Sequence, residues 1–247
     1  MVNTSTKEFS ISSYDLDPKG QAKLTTLANF LQEMAYYHAG QLGFGYDDMN
    51  ERQTMWVLSR MRIRINHYPV WNDRVRVETW HKGMERLFGL RDFRVSDNSG
   101  GILGVASTAW LILDNQTRRP VRSTEEVLHL GRNDESVFEE KLEKIRLPDE
   151  MEALNHRKVL FSDLDIIGHV NNVKYMEWCI DAATTELNTD REIREIEINF
   201  MHEALLGDEI IISGVEESGM NMVNESFFVA TREGDRQEIF RACLRWD

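Results

Sequence analysis

The chain repeats itself once, and the repeat restricts its fold more than any other feature. Asp15-Leu16-Asp17-Pro18-Lys19-Gly20-Gln21 recurs as Asp163-Leu164-Asp165-Ile166-Ile167-Gly168-His169, 148 positions later, with Asp-Leu-Asp and the glycine in register. At the same shift Phe30 falls on Trp178, Glu33 on Asp181 and Ala35 on Ala183. Within 247 residues, two copies of a domain of roughly 120 residues fit, each large enough to bury a core.

Each copy continues as a helix and then as strands. Leu24, Leu27, Leu31, Met34 and His38 recur at helical spacing, and Ala28, Phe30 and Ala35 widen the apolar surface, which predicts a helix wrapped on most sides. Its counterpart runs from about Asn172 to Thr185, with Val173, Met176, Ile180 and Ala183 as the stripe and Trp178 and Cys179 beside it. The period then falls to two. Met61, Ile63 and Ile65 interleave with Arg60, Arg62 and Arg64, and Val75 and Val77 with Arg74 and Arg76. Ile102 to Leu113 follows an Asn98-Ser99-Gly100-Gly101 turn. In the second copy Ile196, Ile198 and Phe200 alternate with Glu195, Glu197 and Asn199, followed by strand patterns at 209–215, 225–231 and 237–246.

The repeat predicts an amino-terminal domain over residues 1–130, a charged linker with a short solvated helix over 131–150, and a carboxy-terminal domain over 151–247. One long helix wrapped by one antiparallel sheet, made twice, is an α+β arrangement known as a tandem or double hotdog.

Composition removes several function classes. Forty-two acidic against 29 basic residues give a net charge of −13, which disfavours nucleic acid, whose binding rests on neutralising phosphates. The polar segment 1–17 lacks the basic-then-apolar pattern of a secretory signal, and no run approaches the roughly 18 apolar residues of a membrane span, so no membrane insertion is expected. Cys179 and Cys243 lie among apolar residues and read as buried thiols in a reducing compartment, the cytoplasm by default.

Chemistry concentrates where the two copies differ. His169 replaces Gln21, while Asp165 and Gly168 are retained. A carboxylate and an imidazole four residues apart, on a glycine turn entering a helix, lie close to free backbone amides that favour negative charge. The same residues also fit a structural use, with Asp165 or Asn171 capping the helix and His169 serving the fold. Asp163, Asp165 and His169 lack recognisable zinc spacing, and no metal is expected.

Asp163 to Tyr175, Asp-Leu-Asp-Ile-Ile-Gly-His-Val-Asn-Asn-Val-Lys-Tyr, resembles the active-site segment of acyl-acyl carrier protein (acyl-ACP) thioesterases, the plant plastid FatA and FatB type and their bacterial relatives. Leu31-Gln32-Glu33, Trp56 to Met61, Tyr68 to Asp73 and Thr117 to Pro120 match further landmarks in the family's order, so the likeness spans roughly residues 7–247. It implies a double-hotdog thioester hydrolase that ends fatty acid elongation, has no cofactor, and acts on a carrier protein bearing a fatty acyl-phosphopantetheine.

The resemblance further implies catalytic residues in the second half and an acyl pocket shaped by the first, with Met55 and Trp56 beside the chain. The catalytic Asp, His and Glu fall on Asp165, His169 and Glu203. Two positions depart from the pattern. Ile167 stands where the family has an Asn, leaving Asn171, Asn172 and Asn199 as substitutes, and Ala204 stands where the plant enzymes often have Cys. With no thiol there, the expected chemistry gives Asp165 or Glu203 the part of base or nucleophile, His169 that of orienting group, and the amides near Val170 that of oxyanion site. The basic stripe Arg60, Arg62, Arg64, Arg74 and Arg76 suits an acidic carrier, or pairs with Glu195 and Glu197 of the other half. An acyl-CoA thioesterase, a noncatalytic acyl- or carrier-binding module and a hotdog dehydratase are the rival readings. A monomer and a homodimer both fit two fused hotdogs.

Overall fold

The computed structural model describes residues 4–122, 127, 133–187, 191–218 and 224–247. It divides into two units, Met1–Leu142 and Glu143–Asp247. The domain boundary expected at residue 130 lies outside the described residues.

The first unit has strand β1 (Thr4–Ser10), helix α1 (Leu24–Gln41), a short helix α2 (Tyr46–Glu51), and strands β2 (Thr54–Ile65), β3 (Arg74–Glu85), β4 (Phe88–Ser96) and β5 (Ile102–Asp114). Its strands are ordered β1-β3-β4-β5-β2, all neighbours antiparallel. The second unit has β6 (Glu152–Lys158), helix α3 (Asn172–Leu187), β7 (Ile193–Phe200), β8 (Glu209–Ser218), β9 (Asn224–Arg232) and β10 (Glu238–Trp246). Its order, β6-β8-β9-β10-β7, is the same topology. This is the expected α+β double hotdog. Strands β1, β4 and β6 and helix α2, too short or too weakly patterned for the period to announce them, complete it.

The shift between copies changes along the chain. Asn172 opens α3 148 positions after Leu24 opens α1, whereas Glu209 opens β8 only 135 positions after Arg74 opens β3. The first unit spends the difference between helix and sheet, where it builds α2. Met49 of α2 is buried in a cluster with Phe44, Ile112 and Val127, against which Trp56 and Met84 pack.

Each helix buries the residues its period selects. In α1 Leu27, Ala28, Leu31, Met34 and His38 are almost fully occluded, while Asn29, Glu33, Tyr36 and Tyr37 form an open row. In α3 the enclosure takes in Val173, Tyr175, Met176, Trp178, Cys179, Ala182 and Ala183. Burying such a Leu or Met contributes about 1.5–3 kcal/mol. Phe30 reaches back to stack on Phe9 of β1, with ring centroids 4.3 Å apart.

The charged linker forms no helix between residues 133 and 150. It runs as a strap whose backbone is held by sheet side chains. Trp80 Nε1 donates to Glu135 O at 3.0 Å, Val137 N donates to the buried Asp92 carboxylate at 3.0 Å, and Arg60 donates to Leu142 O. Phe138 is buried beneath the Arg62 and Arg64 guanidinium groups. In the second unit Ile145 is buried, its N–H bonded to Asn199 Oδ1 at 2.7 Å. Apolar side chains at 138 and 145 and these acceptors outweigh the helical preference of the Glu-Lys run between them.

Candidate active site

The turn entering α3 is built by Asp165. Its Oδ1 accepts the N–H groups of Ile167 at 3.0 Å and His169 at 3.3 Å, while the Gly168 N–H closes on Asp165 O at 3.0 Å. That closure requires a positive φ, +82° at Gly168, where a side chain would be strained. Asn171 then caps the helix, its Oδ1 accepting the Val173 N–H at 2.9 Å.

The third residue arrives from the connection between β7 and β8. Asp208 Oδ2 accepts the Leu205 N–H at 3.0 Å, which folds residues 205–208 into a tight turn, and Val170 N donates to Ala204 O at 3.1 Å, which fastens this connection beside the Asp165 turn. Glu203 Oε2 therefore stands 2.9 Å from His169 Nδ1. The two side chains are 43% and 23% exposed, so water reaches a pair whose geometry is already set. A carboxylate on Nδ1 fixes the ring tautomer and turns Nε2 outward as the basic nitrogen.

The structure thus brings Asp165, His169 and Glu203 into one place. It also sorts the remaining expected residues. The Val170 N–H is committed to Ala204 O, so it is not a free oxyanion donor, a correction that follows from the pairing of the two loops. Asn171 is the helix cap. Asn199 is buried and spends its amide on the strap, accepting from Ile145 N and donating to Glu143 O at 3.2 Å. Asn172 is different. It opens α3, where helical N–H groups lack partners, and among the described residues neither its backbone N–H nor its side-chain amide donates a hydrogen bond. Ile167 leaves its side chain exposed and uses its N–H in the turn.

Tyr175, one helical turn beyond the cap, escaped the sequence reading. Its hydroxyl accepts the Ala204 N–H at 2.9 Å. The available signal was a hydroxyl on the buried row of α3 where α1 carries Leu27 at the 148-residue shift. Around the site stand exposed apolar side chains, Phe161, Ile166, Leu205 and Leu206.

In the first unit, Trp56 donates to Phe44 O at 3.2 Å and packs on Gly89, and the Met55 sulfur accepts from Arg118 at 2.9 Å. Arg62 of the basic stripe is buried and lies 3.3 Å from Glu140, whereas Arg64, Arg74 and Arg76 are exposed. In the second unit Arg245 pairs with Glu195, Glu197 and Glu225. Cys179 and Cys243 are free and buried; burial holds the Cys179 thiol well above its usual range and pushes Cys243 up to about 12. Among the described residues no cluster of His, Cys, Asp or Glu could hold a metal, and no helix is long and apolar enough to cross a membrane.

The chain is similar to known proteins along nearly its whole length. Residues 3–130 match the acyl-ACP thioesterase N-terminal domain and residues 147–246 the acyl-ACP thioesterase C-terminal domain. The chloroplastic palmitoyl-acyl carrier protein thioesterase of Gossypium hirsutum is 31% identical over 97% of this chain and 63% of its own length. The enzyme of the same name from Cuphea hookeriana is 33% identical over 97% and 61%. The chain therefore spans less than two thirds of these curated relatives. A crystal structure of an acyl-ACP thioesterase from Bacteroides thetaiotaomicron superposes with a TM-score of 0.88 at 28% identity, covering 99% of this chain and 98% of that one.

Proposed function

The chain belongs to the acyl-ACP thioesterase family, and from that premise we propose that it hydrolyses fatty acyl-ACP to free fatty acid and carrier, ending elongation of the acyl chain. The observation that carries this reading is the 2.9 Å contact between His169 Nδ1 and Glu203 Oε2 beside an open helix amino terminus. A thioester carbonyl is already electrophilic and a thiolate leaves readily. Hydrolysis therefore needs a positioned water, a base and an oxyanion site more than a strong nucleophile.

Glu203 accepts the Nδ1–H of His169 and stabilises the ring when Nε2 takes a proton from water. The water oxygen attacks the carbonyl carbon, and the oxyanion is held by the Asn172 N–H and side-chain amide. Collapse breaks the C–S bond, and the Nε2 proton passes to the departing thiolate. Asp165 builds the turn with Oδ1 and keeps Oδ2 for the attacking water. The first unit takes the acyl chain, with Met55 and Trp56 along it, and the apolar rim at Phe161, Ile166 and Leu206 receives the pantetheine arm and the carrier. Two buried free thiols favour a reducing compartment, the cytoplasm.

Free-thiol release from acyl-ACPs and matched acyl-CoAs, with wild type and Glu203→Gln side by side, tests the reading. Release from acyl-ACP that collapses at least a hundredfold in the variant is the expected result. Equal specificity constants for the CoA series would remove the carrier from the proposal. No release from any thioester by folded wild-type protein would leave a binding module.

A further inference from the structure

We infer that Tyr175 is a positioning residue, whose hydroxyl sets the angle at which Glu203 meets His169. The inference rests on the hydrolase reading above and deepens it.

Glu203 is half exposed and follows the end of β7, so strand pairing does not hold it directly. What holds it is the next residue. The Ala204 C=O accepts the Val170 N–H at 3.1 Å, and the Ala204 N–H donates to Tyr175 Oη at 2.9 Å. The second bond acts on the peptide plane joining Glu203 to Ala204, and so on the direction in which the Glu203 side chain leaves the backbone. The first ties the same residue to the neighbour of His169. Tyr175 itself is closely packed: it is 3% exposed, edge-on to Trp178 at 5.2 Å, and tilted on Phe200 and Phe240 at 6.0 and 5.6 Å. Burial, reinforced by the carboxylates of Glu203, Asp165 and Asp208, raises its pKa and keeps the phenol protonated, so the oxygen serves as a neutral acceptor.

The first unit supplies the internal control. There the Ala22 N–H donates to Pro69 O at 2.8 Å, the counterpart of the Val170 to Ala204 bond. The other half of the clamp is missing on both sides: Pro69 has no N–H to give, and Leu27 replaces the tyrosine. The hydroxyl and the amide that feeds it occur together only in the unit that carries His169 and Glu203.

Tyr175→Phe removes one oxygen and leaves the ring packing and the charges of Asp165, Glu203 and Asp208 in place. In steady-state hydrolysis of acyl-ACP, kcat is expected to fall about tenfold with KM within about twofold, since small misplacements of a catalytic group cost turnover more than binding. In an NMR spectrum of the folded variant the His169 Nδ1–H resonance should be displaced from its wild-type position, a readout of the 2.9 Å contact with Glu203 that does not depend on activity. A variant that melts lower yet keeps wild-type kcat and an unmoved His169 Nδ1–H resonance would overturn the inference and leave Tyr175 as a partner for a buried amide. Should folded wild type hydrolyse no thioester, the functional reading falls, and the His169 Nδ1–H resonance still decides the role of Tyr175.

Discussion

The two turns that enter α1 and α3 are the same object made twice, nearly bond for bond. Asp17 Oδ1 accepts from Lys19 N and Gln21 N at 2.8 and 3.0 Å, as Asp165 Oδ1 does from Ile167 and His169. Gly20 and Gly168 have φ of +80° and +82°. Asp15 Oδ2 binds Ser12 N, and Asp163 Oδ2 binds Leu160 N, both at 2.8 Å. The β2–β3 connection matches the β7–β8 connection likewise, Val70 N to Asp73 Oδ2 at 2.8 Å repeating Leu205 N to Asp208 Oδ2 at 3.0 Å. That correspondence sets Tyr68 opposite Glu203 and Gln21 opposite His169. The Asp-Leu-Asp and glycine framework is therefore architecture, needed in both units, and the proposed catalytic difference lies in the few side chains hung on it.

The comparison can be broken most severely at His169. His169→Gln gives the second turn the side chain of the first, and kcat/KM for acyl-ACP should fall about a thousandfold or more with little change in melting temperature. Full turnover in this variant would remove the imidazole from the chemistry. Asp165→Asn against Asp17→Asn comes next. An amide oxygen can keep the turn, so both proteins should fold. Turnover should drop about a hundredfold in the first and stay unchanged in the second; equal behaviour would make Asp165 a turn builder like Asp17.

A third difference lies inside the units. The first carries a buried polar group, Arg91 with His38 Nδ1 at 2.7 Å and Thr79 Oγ1 at 3.2 Å. Beside it burial, then the charges of Arg91 and His38, depress the His81 pKa from 6.5 to about 4. A folded-state pKa below the unfolded one means that the unfolded chain takes up the proton first. Stability is therefore whole above pH 6.5 and falls as the pH drops toward 4, by about 2 kcal/mol at pH 5. Denaturant titrations across this range should show that slope, reduced in His81→Gln. The smallest effect should be a matched pair. Gly20→Ala and Gly168→Ala meet no atom within 4 Å, and each should cost about 1 kcal/mol for its positive φ alone. A much larger loss at one of them would show that the turns are less alike than their hydrogen bonds.

Much of this was legible in the chain. Apolar period located both helices and the main strands, because burial on one face leaves a mark on every third or fourth, or every second, residue. Strands β1 and β6 were not legible, since their mixed, half-exposed residues carry little alternation. The linker read as a solvated helix because its charges dominate the composition, whereas Phe138 and Ile145 decide its course. Asp165 and His169 were visible from their spacing. Glu203 came from family likeness alone, for nothing local in Met201-His202-Glu203-Ala204 distinguishes it.

By itself the sequence determined the duplicated helix-then-sheet plan, the register of the two turns, and the presence of glutamine in the first where the second has His169. These are properties of neighbours along the chain: period, capping and the conformational freedom of one glycine. Tertiary structure alone decided which groups meet. It set Glu203 on His169 from 34 positions along the chain, committed the Val170 amide to Ala204, left that of Asn172 open, and supplied Tyr175. Such contacts depend on where two separate loops are tied together, and the physical forces that tie them, backbone hydrogen bonds and packing of buried rings, act between residues that the order of the chain leaves far apart.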